Sequence, residues 1–132
     1  MSGGGRYLSL RTVAAINERM VAGFGGVAGV RDRGLLESAV AQPMQTFGGA
    51  DLYPSIVEKA ARLAFGIVEN HPFVDGNKRT AAACAAAFLG INGYAFSPPE
   101  GELADVFIGL AAGEIDWIRF RDWVAAHAAP IG

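Results

Sequence analysis

Between positions 71 and 80 the chain reads His-Pro-Phe-Val-Asp-Gly-Asn-Lys-Arg-Thr, a concentration of polar chemistry in an otherwise apolar sequence. His71 is the group in this run whose ordinary pKa lies near neutrality, which makes it the natural proton acceptor. Asp75 is a hard oxygen donor of the kind that holds a magnesium ion bridging phosphates. Lys78 and Arg79 add two cations at the start of an alanine-rich run, Lys78 to Gly90, with strong helical propensity. The first turn of a helix prefers carboxylates, because the positive end of the macrodipole lies there. Cations set against that preference imply that an anion is expected in front of them. The unpaired amides of the helix start complete a phosphate cradle.

This chemistry requires a particular backbone. Pro72 lacks a donor and Gly76 admits special dihedrals, so no single helix passes through the run. Asn77 is a good N-cap residue. The expected result is a short loop that delivers the chain onto a helix N-terminus. His71 and Asp75, four apart, could also be read as metal ligands on one helical face. Pro72 and Gly76 oppose that helix, and two ligands without Cys or a further His are poor for zinc. A solvated face is the plain reading of Lys78 and Arg79, but the first turn of a buried helix demands more than solubility.

The elements around the loop follow from periodicity. Residues 1 to 7 read as a flexible lead. Ser9 caps a helix to about Ala22 with Leu10, Val13, Ala14, Met20 and Val21 at helical spacing. Gly23, Gly25, Gly26 and Gly29 then form a turn between helices; with no strand before them and no Lys-Ser/Thr end, they are a weak nucleotide signal. Asp32 caps a short helix with Leu35, Leu36, Ala39 and Val40, stopped by Pro43. Gln42 to Leu52 is irregular, either a flap over the site or an ordinary surface connection.

Ser55-Ile-Val-Glu58 matches a capping box, and its helix runs to about Asn70. Ile56, Val57, Ala60, Leu63, Ala64, Ile67 and Val68 form its apolar stripe, with Glu58, Lys59, Arg62 and Glu69 off it. Thr80 to Leu89 is apolar on every side and reads as a buried spine, ended by Asn92-Gly93. Tyr94 to Phe96 is a short extended link. Leu103, Val106, Phe107 and Leu110 mark another helix, closed by Gly113, with Glu100, Glu102 and Asp105 as its N-terminal charges. Asp116 caps the last, with Ile115 and Phe120 as a hydrophobic staple. Cys84, Trp117 and Trp123 read as core, and His127 meets the final helix dipole. The expected fold class is all-α, one domain over residues 1–132 with about six helices around a buried central one.

Composition sets the class. The chain has 132 residues, of which 52% are apolar and 18% charged, with a net charge of −2. That suits a real hydrophobic core and opposes a disordered or generic polyanion-binding chain. Nucleic acid is not expected as the main partner. One cysteine excludes an internal disulfide framework, and no stretch has signal-peptide or membrane-spanning character, so the expectation is a cytoplasmic protein.

The run His71 to Arg79 resembles the signature of the Fic/Doc family, His-x-Phe-x-Asp/Glu-Gly/Ala-Asn-x-Arg. The likeness extends to Gly25 to Asp32 followed by a helix, to Tyr53 to Asn70, and to Gly109 to Ile115, all similar to the small death-on-curing (Doc) branch. The resemblance implies an enzyme that transfers AMP or a phosphoryl group from a nucleotide to a protein hydroxyl. By position it makes His71 catalytic, Asp75 the magnesium ligand, Asn77 and Arg79 phosphate-binding residues, and Phe73 a core anchor of the loop. Gly76 and Lys78 belong to the same cradle, Lys78 adding charge for a phosphate oxygen.

Two departures from the AMP-transferring branch resemble Doc. Lys78 stands where that branch has Gly, and Ala82 where it has a second Arg. The implied reaction is ATP- and Mg2+-dependent phosphorylation of a Thr of elongation factor Tu, which arrests translation. AMP transfer is the alternative, and a catalytically silent module docking an antitoxin is a third reading. The Doc type also carries an Asn where this chain has Ala83, which leaves the phosphate contacts less complete. The family's self-inhibiting Ser/Thr-x-x-x-Glu-Gly/Asn segment is absent from the sequence. Restraint is then expected from another chain, an antitoxin of a toxin–antitoxin pair whose helix lies in an exposed apolar groove.

Overall fold

A computed structural model describes residues 5–132. Six helices make up most of it: α1 (Leu10–Phe24), α2 (Arg33–Ala41), α3 (Ile56–Asn70), α4 (Asn77–Ile91), α5 (Glu100–Ala111) and α6 (Trp117–Ala126). Four of the helix starts are capped as the sequence leads one to expect. Ser9, Asp32 and Asp116 each accept a hydrogen bond from the amide three residues on, and Ser55 with Glu58 forms a reciprocal capping box.

The Gln42 to Leu52 segment is more ordered than its composition suggests. A 3-10 turn (Gln42–Met44) leads into a two-stranded hairpin, β1 (Thr46–Phe47) with β2 (Ala50–Asp51). A second antiparallel pair, β3 (Tyr94–Phe96) with β4 (Ala128–Pro130), ties the end of the chain to the link after α4. Such strands are too short for period-two alternation to reveal them. The lead expected over residues 1 to 7 lies partly outside the described residues. From Arg6 onward the chain is fastened: the Arg6 N–H donates to Asn92 Oδ1 at 2.7 Å, and Tyr7 meets Phe88 edge-on.

α3 and α4 form the central pair. α3 also touches α2, α5, α6 and the 3-10 turn, while α1 lies along α4. Leu63, Ile67, Phe73, Phe88, Leu89, Leu110 and Phe120 fill the core between them. Each fully buried side chain of this size contributes about 1.5–3 kcal/mol. Gly66 lets α2 approach α3 closely, since a Cβ there would stand 3.3 Å from the Ala39 backbone. α4 is buried on one side and keeps a face of small residues, Ala82, Ala83 and Ala86, on an open cleft. No helix among the described residues is long and apolar enough to cross a membrane.

Lys59 corrects the reading that placed it off the apolar stripe of α3. It is 0% exposed and donates from Nζ to Asp51 Oδ2 at 3.0 Å and to the carbonyls of Pro43 and Tyr53. Lying three residues after Ile56 and four before Leu63, it shares their face. Burial of its ammonium is tolerated because every donor finds an oxygen. Arg62 is also drawn inward, its guanidinium about 5 Å from the rings of Tyr53, Phe65 and Trp117.

Candidate active site

The site is built at the junction of α3 and α4. α3 stops because His71 adopts a left-handed conformation (φ 48°, ψ 54°) while its N–H still bonds the Ile67 carbonyl at 3.0 Å. It is the one non-glycine residue with positive φ among the described residues, a conformation costing about 1–2 kcal/mol. Arg31 holds it there. Its guanidinium donates to the carbonyls of His71 (2.8 Å) and Asn70 (3.1 Å), placing a cation on the negative end of α3. The amides of Arg31 and Asp32 both donate to the Pro72 carbonyl, and Val74 N–H donates to Gly29 O. The glycine-rich turn before α2 is thus laced to the His71 loop by backbone bonds.

Phe73 is buried and anchors the loop in the core. Asn77 closes it: Phe73 N–H donates to Asn77 Oδ1, and Asn77 Nδ2 donates back to Phe73 O, both at 3.0 Å. This corrects the expectation of Asn77 as N-cap. Gly76 is the cap, in the left-handed region (φ 76°), and a Cβ on it would press Val21 at 3.2 Å. Asn77 instead opens the helix, and with its side chain spent on Phe73 it has its backbone N–H left for an anion. Beneath the turn, buried Asn17 donates to the Asp75 carbonyl (2.9 Å) and to Thr80 Oγ1 (3.1 Å).

The first bond inside α4 runs from Thr80 N–H to Gly76 O, and no side chain caps the helix. The amides of Asn77, Lys78 and Arg79 therefore carry the positive end of its dipole. They border a cleft of about 810 Å³ lined by His71, Asp75, Gly76, Asn77, Lys78 and Arg79 on one side. Phe96, Leu103, Phe107 and Ile108 make the other side, over the alanine face of α4. His71, Lys78 and Arg79 are exposed, and none of their side chains forms a hydrogen bond or ion pair among the described residues. His71 is turned to the cleft and not into the core. No residue of Gln42 to Leu52 lines this cleft, so the hairpin does not cover it.

Asp75 is held by one oxygen. Val27 N–H donates to Oδ2 at 2.7 Å, and Oδ1 makes no hydrogen bond among the described residues. No cluster of three or more His, Cys, Asp or Glu side chains that could cage a metal is present among them. Magnesium needs no such cage, since it keeps its waters and takes one or two carboxylates plus substrate phosphates. A free carboxylate oxygen beside an amide cradle fits an ion that arrives with a nucleotide. Cys84 is remote from this chemistry, with its thiol pushed up to about 12 by burial.

A family model described as the Fic/DOC family matches residues 7–89, which include the loop, its lacing turn and the cradle. Over 111 residues the sequence is 32% identical to the protein kinase doc of Escherichia phage P1, covering 83% of this chain and 86% of that one. The chain belongs to the Fic/DOC family. It is also 56% identical over 70 residues to the toxin Doc of Mycolicibacterium smegmatis. That match covers 53% of this chain and spans about half of the relative, 54% of its length.

Within this Fic/DOC chain, the residues expected from His71 to Arg79 all lie at the α3–α4 junction, whereas the side chains that support them there, Asn17 and Arg31, were not singled out. Asn17 stands on the buried stripe of α1 between Val13 and Val21, and a polar residue on an apolar stripe is the signal that marks it. Arg31 gave no signal by itself. Its partners are backbone carbonyls 39 and 40 positions away. Phe24, the last residue of α1, reaches the cleft through the same turn.

Proposed function

We propose that this protein is a Doc-type toxin that transfers the γ-phosphoryl group of ATP to a Thr or Ser hydroxyl of a protein target. The observation that carries this reading is the amide cradle of α4, flanked by two unpaired cations and opening on the cleft that His71 also lines. The hydroxyl oxygen of the target attacks the γ-phosphorus, its proton passes to the His71 imidazole, and the bond to the β–γ bridging oxygen breaks to release ADP. Lys78, Arg79 and the amides of residues 77–79 bind the phosphate oxygens, so catalysis consists mostly of positioning and charge neutralisation. Asp75 would hold a magnesium ion, which supplies further charge neutralisation at the phosphates.

The name of the phage P1 relative, a protein kinase, supports phosphoryl over AMP transfer. Lys78 supports it too, as a bulky cation where AMP transfer is served by Gly. Elongation factor Tu is the proposed target, with arrest of translation the outcome. The proposed restraint is an antitoxin, as the name of the mycobacterial relative suggests. The apolar side of the cleft, with Ile108 55% exposed above the alanine face of α4, suits a docked amphipathic helix.

Mass spectrometry of elongation factor Tu after incubation with the protein, ATP and magnesium tests the reading. The expected result is a gain of one phosphate. An AMP adduct would assign nucleotidyl transfer to the same residues. An unchanged target, with antitoxin binding intact, would leave a silent docking module.

A further inference from the structure

We infer that Phe24 is a positioning residue: its ring holds the Arg79 guanidinium in the direction from which a nucleotide's phosphates are bound. The inference rests on the phosphate-binding reading of the α4 cradle and adds a residue that the family motif does not contain. The Arg79 guanidinium carbon lies 4.3 Å from the centroid of the Phe24 ring. Contact with a ring face leaves the in-plane N–H donors of a guanidinium unspent. No carboxylate or carbonyl accepts from those donors among the described residues. A flexible cation is thereby oriented without being neutralised, which is what an anion receptor needs.

The ring is itself fixed. Phe24 ends α1, and the turn that follows is made by Gly25 and Gly26, with φ of 97° and 108°. The N–H of Gly25 bonds back to Val21 O at 2.7 Å, which closes the helix end and sets the direction of the preceding side chain. Two residues further on, the Val27 N–H holds Asp75 Oδ2. One short turn thus handles the cation and the carboxylate of the site together, an aromatic face for Arg79 and an amide for Asp75. Packing gives no reason for Phe24, which is 62% exposed and lies outside the buried core. An aromatic ring left in water at the lip of a cleft, against a motif arginine, points to a role in binding.

The test is calorimetric titration of the full chain with ATP and, separately, with inorganic triphosphate, which has phosphates but no base. Phe24→Ala and Phe24→Leu should weaken triphosphate binding about 2- to 5-fold, the range of an exposed cation–π contact. Phe24→Tyr should restore it to within about 2-fold, because the face is retained. In an Arg79→Ala background the Phe24→Ala change should add nothing, as for two residues acting through one contact. Thermal melts should superimpose, since the ring is largely exposed. Weakened ATP binding with unchanged triphosphate binding would overturn the inference and make Phe24 a platform for the base. Unchanged binding of both ligands would also overturn it and leave the cradle intact. A wild-type chain that binds neither ligand would sink the phosphate reading itself, and this inference with it.

Discussion

At the scale of single residues, the site separates groups held by the protein from groups left for a ligand. The Asn77 side chain spends its polar atoms on the Phe73 backbone, whereas the side chains of His71, Lys78 and Arg79 form no hydrogen bond among the described residues. His71→Ala should therefore leave the melting temperature nearly unchanged and lower transfer roughly a hundred- to ten-thousand-fold, the range for loss of a general base. A rate within a few-fold of wild type would remove His71 from proton transfer. Asp75→Ala should weaken ATP binding when magnesium is present and have little effect in excess chelator. Equal loss under both conditions would show that the carboxylate acts without the ion. Cys84 makes an independent check. Folding keeps it a thiol up to about 12, above the ordinary 9.0, so native protein should not react with a disulfide reagent near neutrality. Because the folded state retains a proton that the unfolded state loses, stability should decline as pH rises past about 9.

At the scale of elements, the turn from Gly25 to Asp32 supports the loop from His71 to Gly76. Its own composition says only that it is a turn. Its function comes from what it faces: the Pro72 and His71 carbonyls, the Val74 amide and the Asp75 carboxylate. Arg31→Ala removes two charge-assisted bonds from the end of α3 and frees a strained residue to relax. The expected result is a transfer rate lower by roughly ten- to a hundred-fold with ATP affinity little changed, since small misplacements of a catalytic group cost that much. A parallel loss of ATP affinity would show that the turn shapes the cradle as well. Single-turnover kinetics with a matched binding titration separates the two.

At the scale of the whole molecule, α3 is the axis on which the site and the hairpin both depend. One end presents His71, and near the other Lys59 binds β2 and the chain on either side of the hairpin. Lys59→Ala would leave Asp51 and two carbonyls without their donor. Chemical denaturation should show a loss of about 3–5 kcal/mol, the usual result of breaking a buried pair from one side. Set against a typical total of about 5–15 kcal/mol, such a loss would bring the fold close to its limit. A change below about 1 kcal/mol would mean that the segment relaxes and solvates the carboxylate.

The sequence alone determined what depends on neighbours along the chain. Caps at Ser9, Asp32, Ser55 and Asp116, the break at His71 to Gly76 and the amide-rich start of α4 are local, so residue type and spacing reveal them. Tertiary structure decided what depends on partners far away. Asn77 became a loop brace and not a cap because Phe73 was folded back within reach of its amide. Lys59 went inside because Asp51 and two carbonyls surround its ammonium. Arg31 and Phe24 joined the site because a glycine turn carried them 40 or more positions along the chain to the His71 loop and Arg79. A side chain's own chemistry sets which bonds it is able to make, and the fold sets which of them it makes.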